Sequence, residues 1–137
     1  MTPEERYEAL SAAEGAALEH LADEVLAAGA RVEVIAGPEV VTAPIRVPVP
    51  GTRSTTAVVG HAALTMCTVE IDGVRGDGCR SGHDLSGAVA AAVCDAEVER
   101  GGLRAGVVVG LARRSTVQRR GRWAERAHQV DLTRVGP

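Results

Sequence analysis

The sequence predicts an α+β fold, a mainly antiparallel sheet of about four strands with N-terminal, middle and C-terminal helices packed on it. Three observations lead there. Asp72-Gly73 is a two-residue hairpin signal between two extended runs, so the central strands are antiparallel. Pro44, Pro48 and Pro50 share one parity in an alternating stretch, so their missing N–H donors fall along one edge of the sheet. Apolar residues at helical spacing over 14–28 and 84–100 supply helices for one face.

The elements follow in order. The opening TPEE reads as a capping box, with Thr2 as N-cap, Pro3 at the first helical position and Glu5 reaching back. A second box, Ser11 with Glu14, starts the helix over 14–28; Leu18, Leu21, Val25 and Ala28 form its stripe, and Gly29 suits the left-handed position after it. From Val32 the period changes to two, which reads as a strand that Gly37-Pro38 breaks. The alternating run over 41–50 is an edge strand whose prolines oppose further pairing. Ala57–Asp72 is a strand with a bulge near Gly60, and VRGDGCRSG is its return partner. Gly76, Gly78 and Gly82 weaken that partner or let another group approach its backbone closely. Asp84 caps the next helix, whose stripe is Leu85, Ala88, Val89, Ala92 and Ala96, and Gly101-Gly102 end it. Residues 107–111 fit a short strand or a helix start, 111–129 a charged helix, and 130–135 an extended segment. No internal repeat, linker or low-complexity stretch divides the chain, so 1–137 is expected to be a single domain.

Composition excludes several classes. Phe is absent and the rings besides histidine are Tyr7 and Trp123, so the core is built from Ala, Val, Leu and Ile, which counts against stacking platforms for single-stranded nucleic acid. No apolar run reaches the ~18 residues of a membrane helix. The acidic N-terminus is unlike a signal peptide, so the expected location is cytoplasmic. Cys67, Cys79 and Cys94 are odd in number and lack a CxxC, which fits reduced, mostly buried thiols. All 15 basic residues are Arg. Residues 1–24 hold seven acids and one Arg, whereas 104–134 hold eight Arg and two acids, so the two ends can pair or meet different partners.

No catalytic constellation emerges. The glycines of GVRGDGCRSG could cradle an anion through successive N–H groups, but GxxxxGK[ST] is absent and no Lys exists to complete it. His20, His61, His83 and His128 show no metal-ligand spacing, so no metal is expected. His83-Asp84 lies where a helix N-terminus attracts anions, although capping alone accounts for Asp84. The contact candidates for an anion or a partner are therefore Arg80, Gly82, His83 and Asp84. No serine has a patterned base, and nothing in the spacing brings Cys67 to His61. The Arg-rich C-terminal stretch could touch phosphates, yet net charge is −3, and a docked or solvated helix explains it better than nucleic acid. Arg119, Trp123 and Arg126 are its interface candidates, since Trp and Arg are enriched at hot spots.

Read in order, these segments resemble the PhnG family, a subunit of the bacterial carbon–phosphorus lyase system. The resemblance covers about residues 8–135 and rests on order and spacing: EVIAGPEV (33–40), GHAALTMCTVEIDG (60–73), GDGCRSGHD (76–84), the Asp95-Ala96 step and HQVDLTRV (128–135). His61, His83 and Leu132 depart from the Glu, Arg and Phe common in the family. The resemblance implies a non-catalytic subunit that acts with PhnH, PhnI and PhnL partners. Together they join the ribose triphosphate of ATP to methylphosphonate, giving alpha-D-ribose 1-methylphosphonate 5-triphosphate and free adenine. PhnJ joins the same assembly, and a homodimer is compatible with it. No cofactor is expected on this subunit; ATP and Mg belong to the complex. The alternative is an autonomous small anion-binding or adaptor domain, built around Gly76–Asp84, that no longer joins the lyase complex.

Overall fold

Thr2 opens the first helix as TPEE predicts: its hydroxyl accepts from the Glu5 N–H at 3.1 Å, and the Glu5 carboxylate accepts from the Thr2 N–H at 3.3 Å. The computed structural model describes residues 1–118. In order these form α1 (Pro3–Ser11), α2 (Gly15–Ala27), β1 (Val32–Pro48), β2 (Thr56–Ile71), β3 (Val74–Ser81) and α3 (Leu85–Glu99). A fourth helix, α4, covers 105–118. The second capping box does not form. Ser11 still belongs to the last turn of α1 and donates to the Glu8 carbonyl at 2.6 Å, so α2 starts at Gly15 with Glu14 as its N-cap residue and no side-chain cap. Gly29, at φ +88°, ends α2 as expected, while Ala28 is exposed.

The sheet is antiparallel, in the order β1-β2-β3. It has three strands among the described residues rather than about four, because Gly37-Pro38 does not break β1. Ala36 faces Thr68 and Glu39 faces Met66, so Gly37 and Pro38 bulge out opposite one residue and pairing resumes. The bulge depends on a glycine: φ is +76°, and a Cβ on Gly37 would run into the Met66 carbonyl. The expected bulge near Gly60 is present. Ile45 faces Gly60 and Arg46 faces Val58, which leaves Val59 as the extra residue. Asp72 and Gly73, at φ 50° and 83°, close the hairpin between Ile71 and Val74.

β1 is one edge of the sheet, as its prolines predict. The other edge, β3, lies beside α1, and the Asp95 carboxylate from α3 accepts the Asp77 N–H at 2.9 Å. Helix α3 lies on β2 and β3. A Cβ on Gly76 would overlap the Ala92 carbonyl and the Ala96 N–H, and one on Gly78 the Ala88 carbonyl. The group that approaches these glycines is the protein's own helix. Cys67, Val69 and Ile71 of β2, the alanines of α3, Leu18, Leu21 and Val25 of α2, and Val108, Leu111 and Ala112 of α4 share one buried cluster. With helices around it, α3 is buried from Ala90 through Glu97, beyond the single stripe its sequence suggests, while Leu85 at its start is exposed. Residues 107–111 are helical.

Gly76→Ala should drive α3 off the sheet and lower unfolding free energy by about 2–3 kcal/mol, as overpacking at a backbone contact does. Urea denaturation followed by circular dichroism measures it, and an unchanged midpoint would contradict the packing described.

Candidate functional site

Two places gather polar side chains. The first is the turn from β3 into α3. Gly82, at φ +73°, donates its N–H to the Ala63 carbonyl at 2.8 Å. Thr65, fully buried beneath, donates its hydroxyl to the Gly82 carbonyl at 2.6 Å and accepts the Asp84 N–H at 3.0 Å. The Asp84 carboxylate accepts the Gly87 N–H at 3.0 Å, which caps α3, and the Arg80 Nε–H at 3.1 Å. Arg80 Nη1 donates to the carbonyls of Leu10, Ser11 and Ala13 at 3.1, 3.1 and 2.6 Å, where α1 ends. The structure thus brings Arg80, Gly82 and Asp84 together, with His83 exposed beside them. These donors are occupied by the protein's own carbonyls and carboxylates. An anion cradle needs free N–H groups, and here His83 is the side chain with no such commitment described.

The second place is a cleft of about 670 Å³ beside α1, lined among others by Arg6, Tyr7, Met66, Cys67, Thr68 and Asp77. Arg6 is buried; its Nε donates to Asp95 Oδ1 at 2.7 Å and its Nη2 to Glu99. Burial works against the Arg6 charge, but the bonds to Asp95 and Glu99 outweigh it and raise its pKa. Asp77 accepts from the Thr68 hydroxyl at 2.7 Å and from Arg75 Nε at 3.1 Å. Burial alone would push the Asp77 carboxyl up; the bonds from Arg75 and Thr68 and the Arg75 charge hold it below its ordinary value.

Tyr7 is pushed up to about 12, by burial first and then by the neighbouring Cys79, Asp77 and Asp95. Burial raises the Cys67 thiol too, with Asp77 adding to it. Cys94 is pushed up to about 12 by burial and by Glu97 and Asp95. The cleft therefore holds paired carboxylates, a protonated tyrosine and a protonated thiol. A nucleophile needs a lowered pKa or an adjacent base, and these shifts run the other way.

The Arg6–Asp95–Asp77 link was not legible as a site from sequence. Its signals are faint: one Arg among seven N-terminal acids, and one Asp inside an alanine run. Cys67 and Cys94 are buried, Cys79 is half-buried, and all three are free thiols. His20 is on the surface, 3.1 Å from Glu24, and His61 is exposed. Among the described residues no three metal-ligating side chains come together, and no helix is long and apolar enough to cross a membrane. Arg104, at the start of the Arg-rich C-terminal part, pairs with Glu24 at 3.5 Å, one link between the oppositely charged ends. Arg119, Trp123, Arg126 and His128, with the extended segment expected over 130–135, lie outside the described residues.

The fold and these two places define an α+β protein, with α3 on the sheet and α2 on α3, whose described polar clusters tie helices to a sheet. The family model "Phosphonate metabolism protein PhnG" matches residues 2–136, essentially the whole chain. The chain belongs to the PhnG family, and its role lies in phosphonate metabolism. Among curated proteins no match to the chain is found.

Arg6→Ala would leave Asp95 as a buried, unpaired charge, and unfolding free energy should fall by about 3 kcal/mol, the usual cost of breaking such a pair. Guanidinium unfolding measures it. Asp77 has a lowered folded pKa, so its stabilisation is complete above the ordinary value of 3.8 and is lost as pH falls through the lower folded value. Asp77→Asn should flatten the acid limb of melting temperature against pH below about 4 relative to the unaltered chain.

Proposed function

We propose that this protein is a non-catalytic subunit of the carbon–phosphorus lyase system. It acts with PhnH, PhnI and PhnL partners to form alpha-D-ribose 1-methylphosphonate 5-triphosphate from ATP and methylphosphonate during phosphonate catabolism. A PhnJ-like subunit belongs to the same assembly. The observation that carries this reading is the PhnG family match over residues 2–136. The occupied charges of the described residues support the non-catalytic part. In the reaction a phosphonate oxygen displaces adenine from the ribose C1′, and the leaving base takes a proton. That step needs a positioned acid and a stabilised sugar cation. On this reading those groups come from the partner subunits, with ATP and Mg bound at the level of the complex. An assembly that consumes ATP belongs in the cytoplasm.

This protein's part is then structural. Arg119, Trp123 and Arg126 are the proposed interface residues of the C-terminal segment, and Arg80, Gly82, His83 and Asp84 form a proposed second contact at the turn before α3. Of these, His83 is exposed and so available to a partner.

The isolated chain mixed with ATP, Mg and methylphosphonate should release adenine only at background, measured by chromatography. Turnover by the chain alone, with partner subunits excluded by mass spectrometry, overturns the non-catalytic reading. Trp123→Ala should weaken co-purification with a PhnI-like partner and leave the melting temperature of the isolated chain unchanged. A large drop in melting temperature with unchanged partner yield would remove Trp123 from the interface.

A further inference from the structure

The β1–β2 hairpin runs well past the rest of the sheet. β3 pairs only with Leu64–Ile71, so among the described residues Thr42–Pro48 of β1 and Thr56–Ala63 of β2 have no third strand beside them. Two strands alone are marginal in water. This ribbon nevertheless leaves every large aliphatic side chain it has exposed: Ile45 at 45%, Val47 at 39%, Val58 at 46% and Val59 at 64%. Leaving such side chains in water forfeits their burial energy; Ile45 and Val47 share one face of the ribbon and Val58, paired with Arg46, lies on the other, so both faces expose apolar surface of the kind that marks contact sites.

Charge points to what covers it. Between Val40 and Val69 the sequence holds no Asp or Glu, although the chain has 18 elsewhere; the full charges of this stretch are Arg46 and Arg53. Both are exposed, Arg46 on β1 and Arg53 in the connecting loop. Pro44 and Pro48 on the edge strand oppose the addition of another strand, so a partner meets the ribbon by its faces. Two arginines among four exposed aliphatic residues are too sparse for a phosphate-tracking surface and suit a mixed protein contact, apolar at the centre and charged at the rim.

We propose that the β1–β2 ribbon is a docking arm for another protein subunit of the assembly, received on an apolar surface whose rim carries carboxylates opposite Arg46 and Arg53. The proposal rests on the subunit reading above and adds the part of the chain that makes the contact.

The test is co-expression of the tagged chain with PhnH-like, PhnI-like, PhnJ-like and PhnL-like proteins, with recovered partner quantified after size-exclusion chromatography. One variant carries Arg46→Glu with Arg53→Glu, the other Val47→Ser with Val58→Ser. Each should reduce recovered partner by about tenfold or more, the loss typical of central contact residues, and leave the isolated chain's melting temperature unchanged. If a paired change lowers that temperature, Arg53→Glu alone, in the loop, replaces it. Unaltered recovery in every variant removes the arm from the interface while the subunit reading stands. Failure of the unaltered chain to recover any of the four overturns the subunit reading and this proposal with it. A homodimer, or binding of a duplex DNA fragment, that the variants abolish while the protein complex persists assigns the arm to that occupant and overturns the proposal.

Discussion

Helix α3 lies close enough to β3 that two of the strand's inward positions have room for no side chain. Gly76 and Gly78 meet the backbone of Ala88, Ala92 and Ala96, and the rest of the fold is arranged around that contact. A sheet normally holds a helix away by the length of its side chains; replacing them with hydrogen on one side and methyl on the other removes the spacer. The closeness suits a core without a single Phe, because small residues fill a thin gap that large ones would otherwise have to bridge.

The same approach explains why a carboxylate sits in an alanine run. Only with α3 this near can Asp95 reach the Asp77 N–H on β3 and, with its other oxygen, Arg6 on α1. A buried pair of this kind offers little net stability over an apolar substitute, but it penalises any arrangement that separates the partners. Here it specifies where α1 lies, against the β3 edge that would otherwise be open to pairing. Arg80 does the matching work at the other end of α1, where it gathers the carbonyls of Leu10, Ser11 and Ala13. Charged residues that could pass for a binding cluster are the means by which helices are positioned.

That allocation bears on function. A phosphonate is anionic, so free cationic groups would be expected at a binding site for one. Arg6, Arg75, Arg80, Arg100 and Arg104 are all paired with the protein's own carboxylates. What the described residues leave in solvent includes a long apolar ribbon that carries Arg46, with Arg53 in its connecting loop, and His83 at a turn. On the proposed reading these are surfaces open to other subunits.

By itself the sequence determined what depends on near neighbours along the chain. The Thr2–Glu5 box, the Asp72-Gly73 turn, the Asp84 cap, the ends of helices at Gly29 and Gly101, the bulge near Gly60 and the proline-marked edge are each set by a few consecutive residues. The order and spacing of those segments also carried the family resemblance. Tertiary structure alone decided what depends on residues far apart. Ser11 looks like a cap until the length of α1 places it inside the last turn, and Gly37-Pro38 looks like a break until β2 continues across from it. Arg80 looks like a free cation until α1, 67 to 70 residues away, presents its carbonyls. The glycines of β3 fit a phosphate loop equally well until α3 occupies the space they leave. In each case the local pattern admits two conformations or two partners of similar energy, and the choice is made by a neighbour that sequence proximity does not reveal.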